Sequence, residues 1–190
     1  AGIGGFHLAF SELGAKCVFA SEWDDHARKT YQKNFEHSDP ELFASGNFAG
    51  DITQVVKENI PDFDVLCAGF PCQPFSQAGH KLGFNDVRGT LFFDIAEIIQ
   101  LKRPRAFFLE NVKGLKGHDK GRTMDVILRT LRDDLGYYVP DPQIINARDF
   151  GVPQNRERIF IVGFRNKAAA NRFSYPKPLG VHTTIADILE

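Results

Sequence analysis

The run Gly69-Phe70-Pro71-Cys72-Gln73-Pro74-Phe75-Ser76 sets one thiol between two prolines. Each proline fixes its own φ, which restricts the loop around Cys72 and lowers its entropy. That suits a nucleophile held in one pose, provided the thiol can ionise from its ordinary pKa of about 8.5. Cys67, within the preceding apolar run, reads as a core thiol instead. Glu110, in Leu109-Glu110-Asn111-Val112, offers a carboxyl group at the end of another apolar run, although an exposed loop acid is the plainer reading. Arg156 and Arg158 lead into a third such run and share one face of an extended chain. They could grip a carboxylate, phosphate or carbonyl together, or simply pair with Glu157 at the surface.

A second group lies earlier in the chain. Gly2-Ile3-Gly4-Gly5 opens a helical pattern, where glycines let a ligand approach the backbone N–H groups. Glu22 follows at the end of an apolar stretch, placed to accept hydrogen bonds from ribose hydroxyls, and Trp23 offers a flat face to an adenine. Asp51, followed by Ile52, ends a further stretch and could accept an adenine amino group. Singly each has a bland alternative: a helix-entry turn, a solvated acid, a core tryptophan. Together they describe an adenosine pocket. The glycine turn lacks the full G-x-G-x-x-G spacing and no G-K-[ST] follows, which disfavours dinucleotides and ATP. A phosphate-free cofactor, S-adenosylmethionine, fits better.

These groups need strands and helices to present them, and the periodicity supplies both. Helical patterns run from Gly5 to Leu13, from an Asp24 cap to about Phe35, from Thr90 to Lys102 and from Thr123 to Leu135, the last closed by Gly136. Strand-like runs cover Cys17 to Trp23, the approach to Gly50-Asp51, Phe63 to Gly69 and Arg105 to Leu109; Val139 to Ala147 and Arg158 to Phe164 read as a final antiparallel pair. Strands separated by helices imply an α/β fold: a doubly wound, mostly parallel, Rossmann-like sheet ending in that antiparallel pair. Such sheets bind ligands at the carboxyl ends of their strands, where the chemistry-bearing residues fall. Residues 1–165 are expected to form the catalytic domain, and 166–190 an exit segment. The opening Ala1-Gly2-Ile3 reads as the turn after a first strand missing from this chain, which would leave unpaired strand edges.

Composition sets the outer bounds. With 190 residues, 43% hydrophobic and 25% charged, the chain is that of a folded domain and not a disordered tail. Its three cysteines contain no C-x-x-C pair, which argues against a disulfide framework and a structural zinc site. No metal is expected. No apolar run approaches the ~20 residues of a membrane span, so no membrane partner is expected; the odd number of cysteines points to a reducing compartment, and a cytoplasmic location is expected. The net charge of −1 is split: residues 1–95 hold 7 Lys and Arg against 13 Asp and Glu, residues 96–190 hold 16 against 11. A basic half permits a polyanionic partner.

The segments AGIGG, EW, GFPCQPFS, RGTLFFD, LENV and QNRERIF, with an aspartate at a third strand end, occur in one order across essentially all 190 residues. In this the chain resembles the C5-cytosine-specific DNA methyltransferases, especially the bacterial restriction–modification type. The resemblance implies that Cys72 adds to C6 of a cytosine flipped out of double-stranded DNA, so that C5 can take the methyl group. Glu110 is implied to contact N3 and the amino group, Arg158 the carbonyl, with Arg156 in support. It further implies that Gly2, Ile3, Gly4, Gly5, Glu22, Trp23, Asp51, Ile52, Pro71 and Leu91 bind S-adenosylmethionine, leaving S-adenosylhomocysteine as product. Gln73, Ser76 and Asn111 are implied to bind substrate, with residues 73–88 as a lid. The family's target-recognition region has no counterpart here, so the remainder of a longer chain or a complementary subunit is expected to supply it, and residues 1–190 alone are not expected to methylate DNA. The rival readings are an RNA (tRNA) cytosine-5 methyltransferase of the same fold and a non-catalytic nucleic-acid-binding subunit. A cysteine hydrolase would want a histidine beside Cys72, and none of the six histidines falls at a predicted strand end there.

Overall fold

The computed structural model describes residues 1–71, 91–181 and 183–187. Cys72, Gln73, Ser76 and the expected lid 73–88 lie outside these residues.

Helix α1 (Gly5–Ser11) opens at Gly4, whose φ of 103° is left-handed; a β-carbon there would stand 2.0 Å from the Phe35 ring. Only glycine admits both that turn and that packing. The expected strand from Cys17 shrinks to β1 (Ala20–Ser21), paired in parallel with β2 (Phe48–Ala49). Between them run α2 (Asp25–Phe35) and α3 (Pro40–Ala44). Asp24 caps α2 as expected, its Oδ1 accepting the Ala27 N–H at 2.7 Å. Tyr31, Phe35, Leu42 and Ala20 form a small core there.

The larger core lies under a four-stranded sheet of order β3-β4-β6-β5. Strand β3 (Val65–Gly69) is parallel to β4 (Ala106–Val112); β6 (Glu157–Phe164) is antiparallel to both β4 and β5 (Gln143–Asn146). The α/β, Rossmann-like class and the antiparallel β5–β6 pair are as expected. The described strands divide into two sheets, however, and the larger is mixed, because β6 enters between β4 and β5. Phe107, Leu109 and Asn111 of β4 are buried on one face. Opposite Phe107 stands Gly163, where a β-carbon would meet the phenyl ring at 2.0 Å.

Helix α4 (Leu91–Lys102) buries Phe92, Ile95, Ala96, Ile98 and Ile99. It also packs against the 3₁₀ turns Ile52–Gln54 and Lys57–Asn59, and Lys57 Nζ meets Asp94 Oδ1 at 2.8 Å. Helix α5 (Arg122–Arg129) continues as a π-turn, Thr130–Asp134, so the expected helix to Leu135 changes hydrogen bonding in its last turn. Within the expected exit segment α6 (Lys167–Arg172) forms, capped by Asn166, and the Tyr175 hydroxyl donates to the Phe160 carbonyl at 3.0 Å. The chain after β6 is therefore tied back to the sheet.

Candidate active site

Parallel pairing sets Gly69 directly beside Glu110. Glu110 Oε2 lies 3.3 Å from where a Gly69 β-carbon would stand, so the glycine leaves room for the carboxylate. On the other side Glu110 pairs with Phe160, and Val112 with Arg158. Residues two apart share a sheet face, so Arg158 reaches Glu110 across a diagonal. Its Nε stands 2.7 Å from Glu110 Oε1, both side chains 23% exposed, while Arg156, 49% exposed, stands 3.9 Å from the same oxygen. The three charged groups expected from sequence thus converge. Glu110 and Asn111, however, lie inside β4 and not in a turn beyond it.

Asn111 points to the opposite face, only 3% exposed. Its Nδ2 donates to the Phe70 carbonyl at 2.7 Å and its Oδ1 accepts the Val112 N–H at 2.8 Å. The amide expected to meet substrate is thereby spent on the turn that leads through exposed Pro71 toward Cys72. A buried amide satisfied this way holds the turn against β4. Leu91, half-buried, starts α4 on the far side of the undescribed segment. Cys67 lies within β3, and burial foremost pushes its thiol up to about 12, as befits an unreactive core group.

One positioning residue escaped the sequence reading. Buried Asn146 accepts the backbone N–H of Arg156 at 3.0 Å and of Arg148 at 3.3 Å, and donates to Asn155 Oδ1 at 2.7 Å. It fixes the segment from which Arg156 projects. Its signal was present: an asparagine at a strand end, where Asx side chains organise turns.

The second group gathers at the carboxyl ends of β1 and β2. The Glu22 N–H donates to Ala49 O at 3.1 Å, and Ser21 Oγ to Gly50 O at 2.6 Å, so Glu22-Trp23 and Asp51-Ile52 emerge side by side. Glu22 accepts the N–H of Gly2 at 2.6 Å and of Asp24 at 3.0 Å. Burial would raise its carboxyl, but foremost the Asp24 N–H, and with it the Gly2 N–H, act against that, and the carboxyl is held below its usual range. Asn34 donates to the Ile3 carbonyl at 3.0 Å, steadying the same turn. Asp51 accepts the Thr53 N–H at 2.9 Å and so caps the turn that contains Ile52. Trp23 is 77% exposed, its ring not consumed by the core. Gly5 merely begins α1, and Gly4 serves packing against Phe35.

Two clusters are thus in place: Glu110 paired with Arg158 at the strands, and a glycine turn held by the Glu22 carboxylate. The model for the family described as C-5 cytosine-specific DNA methylase matches residues 1–190. The chain belongs to that family. Three curated relatives match it along its whole length: the type II methyltransferases M.HpaII of Haemophilus parainfluenzae (60% identical), M.NlaX of Neisseria lactamica (54%) and M.HhaI of Haemophilus parahaemolyticus (46%). The chain spans 51%, 58% and 54% of their respective lengths, so about half of each. Among solved structures, the Entamoeba histolytica methyltransferase EhMeth superposes with TM-score 0.69 at 17% identity, over 100% of this chain and 57% of that one. Spodoptera frugiperda DNMT2 gives 0.64 at 24%, over 97% and 53%. These structural likenesses carry the fold. Among the described residues no helix is long and apolar enough to cross a membrane, and no group of His, Cys, Asp and Glu gathers as a metal site.

Proposed function

We propose that this chain provides the catalytic half of a DNA (cytosine-5)-methyltransferase of restriction–modification type. The observation that carries the reading is the Glu110–Arg158 pair at 2.7 Å, fixed by strand register next to the turn leading to Cys72. Family membership and the type II relatives support the substrate class.

In this reading a cytosine enters flipped from the duplex, since its C6 and C5 are inaccessible in the stack. The Cys72 thiolate attacks C6, and the electron pair of the C5–C6 double bond makes C5 nucleophilic. Glu110 stabilises the charge that develops at N3 by sharing a proton there, and Arg158 and Arg156 hold the Glu110 carboxylate and the base carbonyl. Bound S-adenosylmethionine supplies the methyl group as a sulfonium electrophile. Loss of the C5 proton to a base then returns electrons to the ring and expels the thiolate.

The residues at the β1–β2 end fit that cofactor on their own chemistry. Glu22 keeps acceptor capacity for ribose hydroxyls beyond the N–H bonds it already takes, and Trp23 keeps an open ring face. Ile3, Gly5, Asp51 and Ile52 are proposed to hold the cofactor together with Glu22 and Trp23, and Pro71 and Leu91 would complete its lining. Duplex DNA is the proposed partner, Gln73 and Ser76 are proposed to meet it, and the target-recognition function is proposed to reside beyond this chain or in a second subunit.

The test is a covalent trap. The intact protein is incubated with S-adenosylmethionine and a duplex in which 5-fluorocytosine replaces cytosine, so that C5 cannot lose a proton. An adduct that disappears in Cys72→Ser supports the reading; labelling at another residue, or trapping on RNA in place of DNA, overturns it.

A further inference from the structure

The segment that leaves the Glu110 strand carries a feature the methyl-transfer reading does not use. Residues 113–122, KGLKGHDKGR, hold four cationic side chains against one carboxylate. Their ten-residue path is built on buried Leu115 and on three successive left-handed residues: Asp119 (φ 50°), Lys120 (φ 57°) and Gly121 (φ 88°). Left-handed backbone is unfavourable for residues with a β-carbon, and such conformations persist only where the surroundings enforce them. Here Arg122 braces the turn by donating Nε to Asp119 Oδ2 at 2.9 Å and pairing through its other nitrogen with Oδ1, while His118 Nδ1 and Thr123 Oγ1 stand 2.7 Å apart.

The consequence is a sorting of charge. Lys113 is paired with Glu157, next to Arg158, and Arg122 is paired with Asp119. Lys116 and Lys120 are exposed; among the described residues neither forms an ion pair with a carboxylate, and only Lys120 lies close enough to Asp119 for its charge to be felt there. The one acid of the segment is thus consumed in shaping the turn, and two ammonium groups are left facing water on the chain that leaves the active site. A surface of this kind fits an anion repeated along a line, and the nearby site acts on a base within such a polymer.

We propose that Lys116 and Lys120 contact backbone phosphates of the duplex whose cytosine is methylated, setting its position without reading sequence. The proposal rests on the DNA-methyltransferase reading and names a docking surface for it. Phosphate contacts release counterions, so each contributes about 0.9 to the slope of log affinity against log salt. Removing both contacts lowers the slope by about 1.8, which makes the affinity lost between about 50 and 200 mM salt roughly tenfold smaller than in the unaltered protein.

The experiment measures duplex affinity of the intact protein across that salt range for Lys116→Ala, Lys120→Gly and the double variant. Glycine at 120 removes the charge while relieving the backbone, so weakened binding there cannot be ascribed to a damaged turn. Weaker binding at low salt, equal on target and unrelated duplexes and with the smaller slope, is the expected result. An unchanged slope in the double variant, or an equal loss in Lys33→Ala on α2, overturns the proposal. Failure of the unaltered protein to bind duplex DNA overturns the methyltransferase reading itself, and with it this one.

Discussion

The two halves of the candidate site are held by different means. Glu110, Arg158 and Gly69 belong to three adjacent strands, so their spacing follows from the ladder hydrogen bonds of β3, β4 and β6. Gly2, Glu22 and Asp51 sit in turns around a two-stranded sheet, where side chains accepting backbone N–H groups do the fastening. A ladder fixes distances between charged groups closely enough for chemistry on a single base. A turn closed by a carboxylate yields more easily and leaves backbone donors near the surface, which suits a ligand that must enter and leave. The difference predicts where damage will fall: on turnover at the strands, on cofactor affinity at the turns.

Glu110→Gln tests this most severely. It keeps the size of the side chain but removes the group that shares a proton with the base, and methyl transfer should fall by about 10²–10⁴-fold. Single-turnover methylation with saturating cofactor checks this, and an unchanged cofactor affinity would sharpen the contrast. Next in size is Gly163→Ala, which forces a methyl group into the Phe107 ring and should cost about 1–3 kcal/mol of stability by urea denaturation. Pairing it with Phe107→Leu should recover part of that. Asn111→Ala leaves the buried Phe70 carbonyl without its donor; roughly 1–3 kcal/mol is expected, with methyl transfer reduced beyond what the stability loss explains.

At the turns the effects are smaller. Asp24→Ala, which removes the α2 cap beside Glu22, should cost about 1 kcal/mol and weaken cofactor binding with the methyl-transfer step at saturation unaltered. The smallest effect concerns pH. His7 is buried against Tyr31 and Phe35, with Nδ1 2.7 Å from the Tyr31 hydroxyl and Nε2 3.3 Å from Asp39 Oδ2, not aligned as a hydrogen bond. Burial, foremost, lowers its proton affinity, and Asp39 only partly offsets this. The unfolded chain therefore takes up a proton near pH 6.5 that the folded chain refuses, and stability should decline as pH falls from about 7 toward 5.5. His7→Gln should flatten that decline in urea midpoints.

Much of this was legible in the sequence because strand and helix periods are local. The apolar runs located β3, β4 and β6, and the Asp24 cap located the start of α2 to the residue. The grouping of Glu110 with Arg156 and Arg158 came from the family resemblance, since the residues alone left the arginines free to pair with Glu157 instead. Less legible was anything fixed by contacts between distant residues. Beside β4, β6 packs with Gly163 leaving room for the Phe107 ring, a contact that no short window of sequence contains. Asn111 was implied as a substrate ligand by the family resemblance; the alternation of β4 sends it to the face opposite Glu110. Asn146 was overlooked because two of its three partners, Asn155 and Arg156, lie nine and ten residues downstream.

That alternation makes the address of the acid a question of odd and even. Along β4, Phe107, Leu109 and Asn111 face the interior, while Phe108 and Glu110 face the other way, toward Phe6 and Phe160. Sliding this strand by a single residue would exchange the two sets, thrusting a carboxylate into the hydrocarbon and turning an amide out. The penalty for that error is far larger than for most slips, because an unpaired ionised group would be stranded among phenyl and isobutyl groups. The side chain proposed to do the chemistry therefore also polices the assembly of the sheet that carries it.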